Sequence, residues 1–376
     1  MAAGMAERGH DVTIAALRGV TIETTELERL GVRIYSFAAG TRARKLRVFP
    51  VLARIARDAD LVHCSTWDAT LWGRLAALLG RRRTVITEHT PGREVQLSAG
   101  GSPRASWIAA HNRVLDPFTF ATVVCARWQI PLLLEEGVRA DAIVHIPNAV
   151  PLDDLEAGAR IGATREELGI PSNAKVVIHA ARVSAYKNQR LTLATVARLR
   201  EMLGDVRALI VGAGPDLEAL EREAAQEGYE WARFLGRRGD VPALLSLADL
   251  AVIPSRAEAM PMVLIEAMAL GVPVVGTDVG DIRHIVEESG SGIAVPVDDP
   301  DAFLAACHEI LSDRGLSERL SESARAQSKN YDASVMTDRY AALFEAALDG
   351  HWPGGNRGSV VQSNGADPSH TTALRR

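Results

Sequence analysis

The most constraining feature of this chain is a repeated alternation of short β-branched runs with longer helical stretches. Strand-like pieces fall at 12–15, 32–36, 61–64, 84–87, 122–125 and 143–146, and a second series at 176–180, 207–211, 231–235, 250–254, 272–276 and 292–295. Between them lie helical patterns such as 191–203, 216–227, 241–248 and 300–313. Each strand followed by a helix demands a right-handed crossover to a parallel neighbour, so the alternation predicts an α/β chain with two doubly wound parallel sheets in tandem. At 376 residues the chain is also too long for one core. The expected division is residues 1–150, residues 151–332, a helix at 333–349 bracing the two domains, and a disordered tail at 350–376 rich in Gly, Pro, Ser and Asn.

Composition narrows the setting. With 47% hydrophobic and 24% charged residues the chain reads as an ordinary soluble protein, and no apolar run approaches a membrane span. Cys64, Cys125 and Cys307 are odd in number and far apart, which argues against a disulfide framework or a zinc site and for a reducing, cytoplasmic compartment. The net charge of −5 is uneven: residues 1–150 hold 19 Lys and Arg against 14 Asp and Glu. The cluster Arg42, Arg44, Lys45, Arg47, Arg54 and Arg57 either solvates an outer helix face or meets an anionic surface. Peripheral association with the inner face of the membrane through this basic half is one expectation, and nucleic acid is not an expected partner.

Chemistry concentrates in the second half. In the stretch from Ser255 to Ala269, Glu258 falls in the loop after an apolar strand. Pro261 sits where a helix begins, and Glu266 lies about one turn into it. Ligands of open α/β sheets bind in such loops, facing helix N-termini that attract anions. An acceptor-only carboxylate on each side of an anion site suits a ligand that is part phosphate and part polyol, such as a nucleotide sugar. Arg182 and Lys187 follow another strand, where fixed cations would stabilise charge developing on a diphosphate leaving group. Gly212-Ala-Gly214-Pro215 superficially matches a dinucleotide fingerprint, but Leu217 holds its third glycine position. These glycines are expected to let backbone approach a ligand closely. The loop at Gly236 and Arg237, before the helix opened by Asp240, is placed to clasp a nucleobase.

Taken in order from Lys175 to about Asp313, these segments closely resemble the retaining glycosyltransferases of family 4. The matching text is Arg182…Lys187-Asn188, Gly212-Ala-Gly214-Pro215, Phe234-Leu-Gly236, Asp240-Val-Pro, Ala248-Asp249, Glu258-x₇-Glu266, Gly271-Val-Pro and Gly292-Ile-Ala-Val-Pro. Leu61-Val-His63, Thr84-Val-Ile-Thr-Glu-His89 and Ile146-Pro-Asn148 resemble that family's N-terminal domain. The resemblance implies the GT-B fold, two Rossmann-like domains facing across a cleft. It also implies transfer of a hexose from a nucleoside-diphosphate sugar to a hydroxyl acceptor such as a glycan, a glycolipid or another lipid-linked group. By similarity, Arg182 and Lys187 would grip the diphosphate, Glu266 the ribose and Glu258 the hexose. The amides of Ala259, Met260, Met262 and Val263, around Pro261, would meet sugar hydroxyls and phosphate, and His89 would lie near the reacting sugar. No metal or other cofactor is implied, since the two cations fill a metal ion's role. A non-catalytic sugar-nucleotide binder, a transferase-complex subunit and a nucleotide-sugar epimerase of the same fold are the alternatives.

Three departures stand out. Ala181 replaces the family's usual glycine before the arginine, and Gly280-Asp281 stands where the family has a glycine pair, adding a carboxylate close to the expected phosphate. Residues 1–13 resemble the end of the family's first helix and its second strand. The strand before them and its glycine-rich loop are missing, so two strand edges are expected to lie unpaired inside a core, and a start upstream of Met1 is expected.

Overall fold

A computed structural model describes residues 1–20, 23–89 and 111–350; the expected disorder of the tail falls outside these, Gly350 apart. The chain divides into two compact units, Met1–Ile146 with the segment from Thr337, and Pro147–Met336.

In the first unit the strands are β1 (Thr13–Ala16), β2 (Arg33–Ser36), β3 (Leu61–Ser65), β4 (Arg83–Glu88), β5 (Thr119–Val124) and β6 (Ile143–His145). All pair in parallel, but in two sheets: β1-β2, and β3-β4-β5-β6. Thus β1 and β3 each end a sheet, and both are mostly half-buried, whereas β4 and β5 are largely buried. An apolar cluster nonetheless joins them, with Ala15 of β1 and Val62 of β3 packing around Leu52, Ala56 and Ala76. Strand β5 starts at Thr119, earlier than its apolar run suggests. The 3₁₀ turn Asp116–Phe118 feeds it directly, and Thr119 pairs with Thr84 ahead of a register shift.

Helix Arg42–Asp58 carries the basic cluster. Arg42, Arg44, Arg47, Arg54 and Arg57 are exposed, but Lys45 is buried and does not belong to the solvated face expected of it. From Thr337 onward the last helix, Ala333–Asp349, belongs to the first unit. There Tyr340 Oη lies 2.9 Å from Thr87 Oγ1, which lies 2.7 Å from His63 Nε2. The rings of Tyr340 and Phe344 pack on His63, whose pKa burial lowers to about 4.

The second unit holds β7 (Lys175–Ala180), β8 (Val206–Val211), β9 (Ala232–Gly236), β10 (Leu250–Ile253), β11 (Val274–Thr277) and β12 (Gly292–Val295). They form one parallel sheet in the order β12-β11-β10-β7-β8-β9. Chain order therefore reverses between β7 and β10, the topological switch point at which open α/β sheets bind ligands. Its core packs Val177, Ile210 and Val252 against helices Gln189–Leu203 and Pro300–Ser312, with Phe303 fully buried. Truncating Phe303 to Ala would cost about 3–5 kcal/mol by transfer and cavity terms. Asp249 fixes the start of β7 by accepting from Val176 N at 2.7 Å and from Arg165 at 3.2 Å.

The short, half-buried pairing of β1 with β2 sets the weakest part of the sheet structure. Native-state hydrogen exchange should show amides of β1 and β2 exchanging about 10²-fold or more faster than those of β4, β5 and β8. Equal protection would contradict this ordering.

Candidate functional site

The loop after β7 is fixed from beneath. Ala181 N donates to Val211 O at 2.9 Å and Val183 N to Ala213 O at 3.1 Å. A Cβ on Gly212 or Gly214 would overlap the carbonyls of Ala181 and Val183. The close approach that these glycines permit is thus to the cation-bearing loop, a different reason from the ligand approach expected of them. Gln189, at the start of its helix, closes the loop by donating to Arg182 O at 3.1 Å. The Arg182 side chain is exposed and has no hydrogen-bond or ion-pair partner among the described residues. Lys187 ends the 3₁₀ turn Ala185–Lys187, before Asn188 in the left-handed region.

The acidic loop after β10 is held from several sides. Thr277 Oγ1 donates to Ile253 O at 3.2 Å and to Ser255 O. Arg256 N donates to Tyr186 O at 2.7 Å, joining the two switch-point loops, and Asn148 Nδ2 donates to Met260 O at 3.1 Å. Asp281, buried at the cap of helix Ile282–Ser289, donates its N–H to Ala259 O at 3.0 Å. Gly280 precedes it at φ +60, where a Cβ would lie 2.6 Å from Glu258 O.

These supports set the side chains. Glu258 is buried, and its Oε1 accepts from Ser255 Oγ at 2.7 Å and forms an ion pair with Lys187 Nζ. Lys187 and Glu258, assigned separate tasks by the sequence reading, are therefore partners here. Ala259, Met260 and Pro261 are buried, Met262 is exposed and Val263 half-buried. Helix Met262–Ala269 begins after Pro261 without a side-chain cap. Glu266, within that helix, is half-buried with no carboxyl partner among the described residues, and burial raises its pKa. Beneath the cation loop lies His179, its Nδ1 2.8 Å from Thr192 Oγ1. Burial, reinforced by the Lys187 charge, pushes its pKa down to about 3, so the imidazole is neutral.

The remaining expected residues are dispersed. Gly236 ends β9, Arg237 is exposed beyond it, and Arg238 rather than Arg237 pairs with Asp240 at 2.6 Å. His89 is exposed at the end of β4, in the first unit. Thr277 and His179 carry no sequence signal of their own, and Ser255 and Asn148 stand in segments quoted above with no role assigned to them. Only Ser255, three residues before Glu258, offered a local signal, since a serine at that spacing in a turn can reach the carboxylate. Among the described residues no group of three or more His, Cys, Asp or Glu side chains is placed to hold a metal ion. What the switch point offers is a free guanidinium, a lysine–glutamate pair, an uncapped helix start and a half-buried carboxylate, a set able to hold an anion beside hydroxyl groups.

Comparison with known proteins gives the same location a context. Residues 161–327 match the family model for glycosyl transferases group 1, and residues 1–154 that for glycosyltransferase family 4. A D-inositol 3-phosphate glycosyltransferase of Salinispora tropica is 30% identical over 325 residues, covering 81% of this chain and 66% of the relative. A phosphatidyl-myo-inositol mannosyltransferase of Mycobacterium tuberculosis is 26% identical over 362 residues, 91% of this chain and 89% of the relative. In fold, the chain is similar to Anabaena HepE crystallised with UDP and glucose, with a TM-score of 0.76 at 20% identity over 92% of this chain and 94% of that one. The fold class is GT-B.

Because Gly280 sits at positive φ against the backbone of Glu258, Gly280→Ala should displace the acidic loop. A destabilisation of about 1–3 kcal/mol is expected in denaturant titration. Unchanged stability would show that the loop tolerates the shift.

Proposed function

Since the chain belongs to glycosyltransferase family 4 and is a glycosyltransferase, we propose that it moves a hexose from a nucleoside-diphosphate sugar to a hydroxyl acceptor with retention at the anomeric carbon. The observation that carries this reading is the Lys187–Glu258 ion pair at the switch point of one sheet, where the loop bearing Arg182 and the helix bearing Glu266 also follow the two strands. In the proposed reaction the bond between the anomeric carbon and the diphosphate oxygen breaks, and its electron pair goes to the phosphate. Arg182 and Lys187 stabilise that charge as it develops, which lowers the barrier more than it strengthens ground-state binding. The acceptor oxygen attacks from the face the phosphate leaves, and its proton passes to the departing phosphate oxygen. Glu258 holds a hexose hydroxyl, while Glu266 accepts from the ribose hydroxyls. No metal ion enters this scheme, because the two cations carry the charge.

For the acceptor we favour a cyclitol or lipid-linked polyol, the class named in the relatives above. A surface of the first unit supports a membrane-borne version. Leu46, Val51 and Leu79 are 62%, 45% and 68% exposed. Leu46 and Val51 lie on the helix that bears Arg42, Arg47, Arg54 and Arg57, and Leu79 on its neighbour Trp67–Gly80, beside a cavity of about 320 Å³ lined in part by Arg54, Arg57 and Leu79. Exposed apolar side chains among arginines suit an anionic bilayer at the cytoplasmic face. No described helix is long and apolar enough to cross a membrane.

Three results are expected. Lys187→Ala should lower kcat by about 10²–10³ in a nucleotide-release assay, as for loss of one preorganised donor to a developing charge. Glu266→Ala should chiefly raise the donor KM, since ribose contacts are shared by ground and transition states; a pure kcat effect would contradict its role. Replacing Arg54 and Arg57 together by Ala should weaken sedimentation with phosphatidylserine vesicles by about 30-fold, at roughly 1 kcal/mol per basic residue. Salt-independent, unaltered sedimentation would remove the patch from membrane binding.

A further inference from the structure

At the carboxyl ends of β3, β4 and β5 the first unit holds a polar cluster that none of the chemistry above uses. Arg74, on helix Trp67–Gly80, is only 3% exposed. Among the described residues it makes one hydrogen bond, from Nη1 to Asn112 Oδ1 at 2.9 Å, and its buried Nε has no partner. Asn112 in turn donates to Glu136 Oε2 at 3.2 Å. Glu88, the last residue of β4, precedes His89. Its carbonyl accepts from Gln129 Nε2 at 3.4 Å, and Gln129 Oε1 accepts from Ala126 N at 3.0 Å, which ties the strand end to the loop after β5. Thr87 points to His63 and Tyr340, so Glu88, next along the strand, faces the opposite side.

The Glu88 carboxyl is half-buried and has no hydrogen-bond or ion-pair partner among the described residues. Carboxyls withdrawn from solvent are normally satisfied, so an unsatisfied one at the carboxyl end of a parallel strand can take a donor from outside. Glu136 adds a like charge in the same field, which makes the place unwelcoming to a second anion. Hydroxyl groups are the donors that fit.

We propose that Glu88 is a hydroxyl-binding carboxyl of the acceptor subsite in the first unit, with Arg74 as the buried cation that positions its charge. The proposal rests on the transferase reading and names the acceptor chemistry as a neutral ring hydroxyl of a sugar or cyclitol. Burial first, and the Glu136 charge second, push the Glu88 pKa up to about 7, while Arg74 acts against them. The groups facing Glu88 are therefore Arg74 from the helix after β3 and Glu136 from the end of helix Gln129–Glu135, with His89 next along the chain. The ionised carboxylate is the better acceptor, so binding strengthens as pH rises through neutrality.

The test uses the full chain with a nucleoside-diphosphate hexose, and compares free myo-inositol with phosphatidylinositol vesicles as acceptors. For the wild type, kcat/KM for acceptor should rise through about pH 7. Glu88→Gln should lower it about 10- to 100-fold, as for loss of a charge-assisted hydrogen bond, and flatten the pH profile, with UDP affinity and donor KM unchanged. Glu88→Asp should retain the pH-dependence, and Arg74→Met should move its midpoint to higher pH, because the opposing cation is gone. Response to free myo-inositol alone places the ring hydroxyls in the subsite; response only to vesicles assigns it to the lipid-borne headgroup. Unaltered acceptor kinetics and pH profile in Glu88→Gln overturn the proposal while leaving the transferase reading intact. Equal loss of UDP binding and acceptor turnover overturns it in favour of a packing role. Absence of transfer by the wild type to any hydroxyl acceptor overturns both readings.

Discussion

The placement of β7 beside β10 is the constraint on which the rest of the site depends. Lys187 and Glu258 are separated by 71 residues, yet form an ion pair because chain order reverses between these two strands. Each loop would otherwise be an exposed connection with many conformations, at about 1–2 kcal/mol of entropy per ordered residue. The ordering is achieved by backbone: Ala181 and Val183 on the glycine loop, Arg256 on Tyr186, Asp281 on Ala259. Small residues appear where two backbones must nearly touch, at Gly212, Gly214 and Gly280. The side chains that do chemistry inherit their positions from this packing.

The ion pair itself is poor evidence for stability. Its side chains are 15% and 9% exposed, so the attraction is bought with desolvation of both groups. Its value lies in preorganisation. Ser255 occupies the same Glu258 oxygen as Lys187, and Thr277 fixes the Ser255 carbonyl, so the carboxylate has one orientation before any ligand arrives. Of the two cations on the loop after β7, Arg182 has no partner among the described residues and Lys187 is held by Glu258. The neutral His179 below adds no competing positive charge.

Much of this was legible in the chain, for reasons that show where legibility ends. The alternation of β-branched runs with helices gave both series of strands because parallel strands buried on two faces read as continuous apolar runs. Helix Met262–Ala269 was placed by Pro261, a local signal, and with it Glu258 in a loop and Glu266 on a helix. The apolar run 122–125 marks only the second part of β5, because the 3₁₀ turn Asp116–Phe118 leads straight into pairing at Thr119. Lys45 read as one more surface cation in a basic run, and only the packing of its helix shows it buried. Gly212 and Gly214 stand out as sites of close approach, but what approaches them is the loop after β7, some thirty residues earlier, which no local pattern encodes. Arg74 belongs to no motif, and Glu88 is only one letter of Thr84-Val-Ile-Thr-Glu-His89; that its carboxyl is left without a partner among the described residues no local pattern encodes.

The two units also differ in how they hold their strand ends. In the second, six strands form one continuous sheet, and the switch point lies at its centre. In the first, the sheet stops at β3, and neither edge of the break is fully buried. The compensation comes from the last helix. Tyr340 and Phe344 cover His63 on β3, and Tyr340 reaches Thr87 on β4, so the strand at the edge is braced through its side chains where a neighbouring strand is lacking. Burial makes that bracing firm, because His63 is kept neutral and hydrogen-bonded rather than charged and solvated. The consequence is a division within one strand pair: one face of β4 is locked at Thr87 by the terminal helix, while the next residue, Glu88, is left with its carboxyl unsatisfied. A strand end so fixed on one side and open on the other can present a carboxyl at a defined place without the rest of the sheet being rigid.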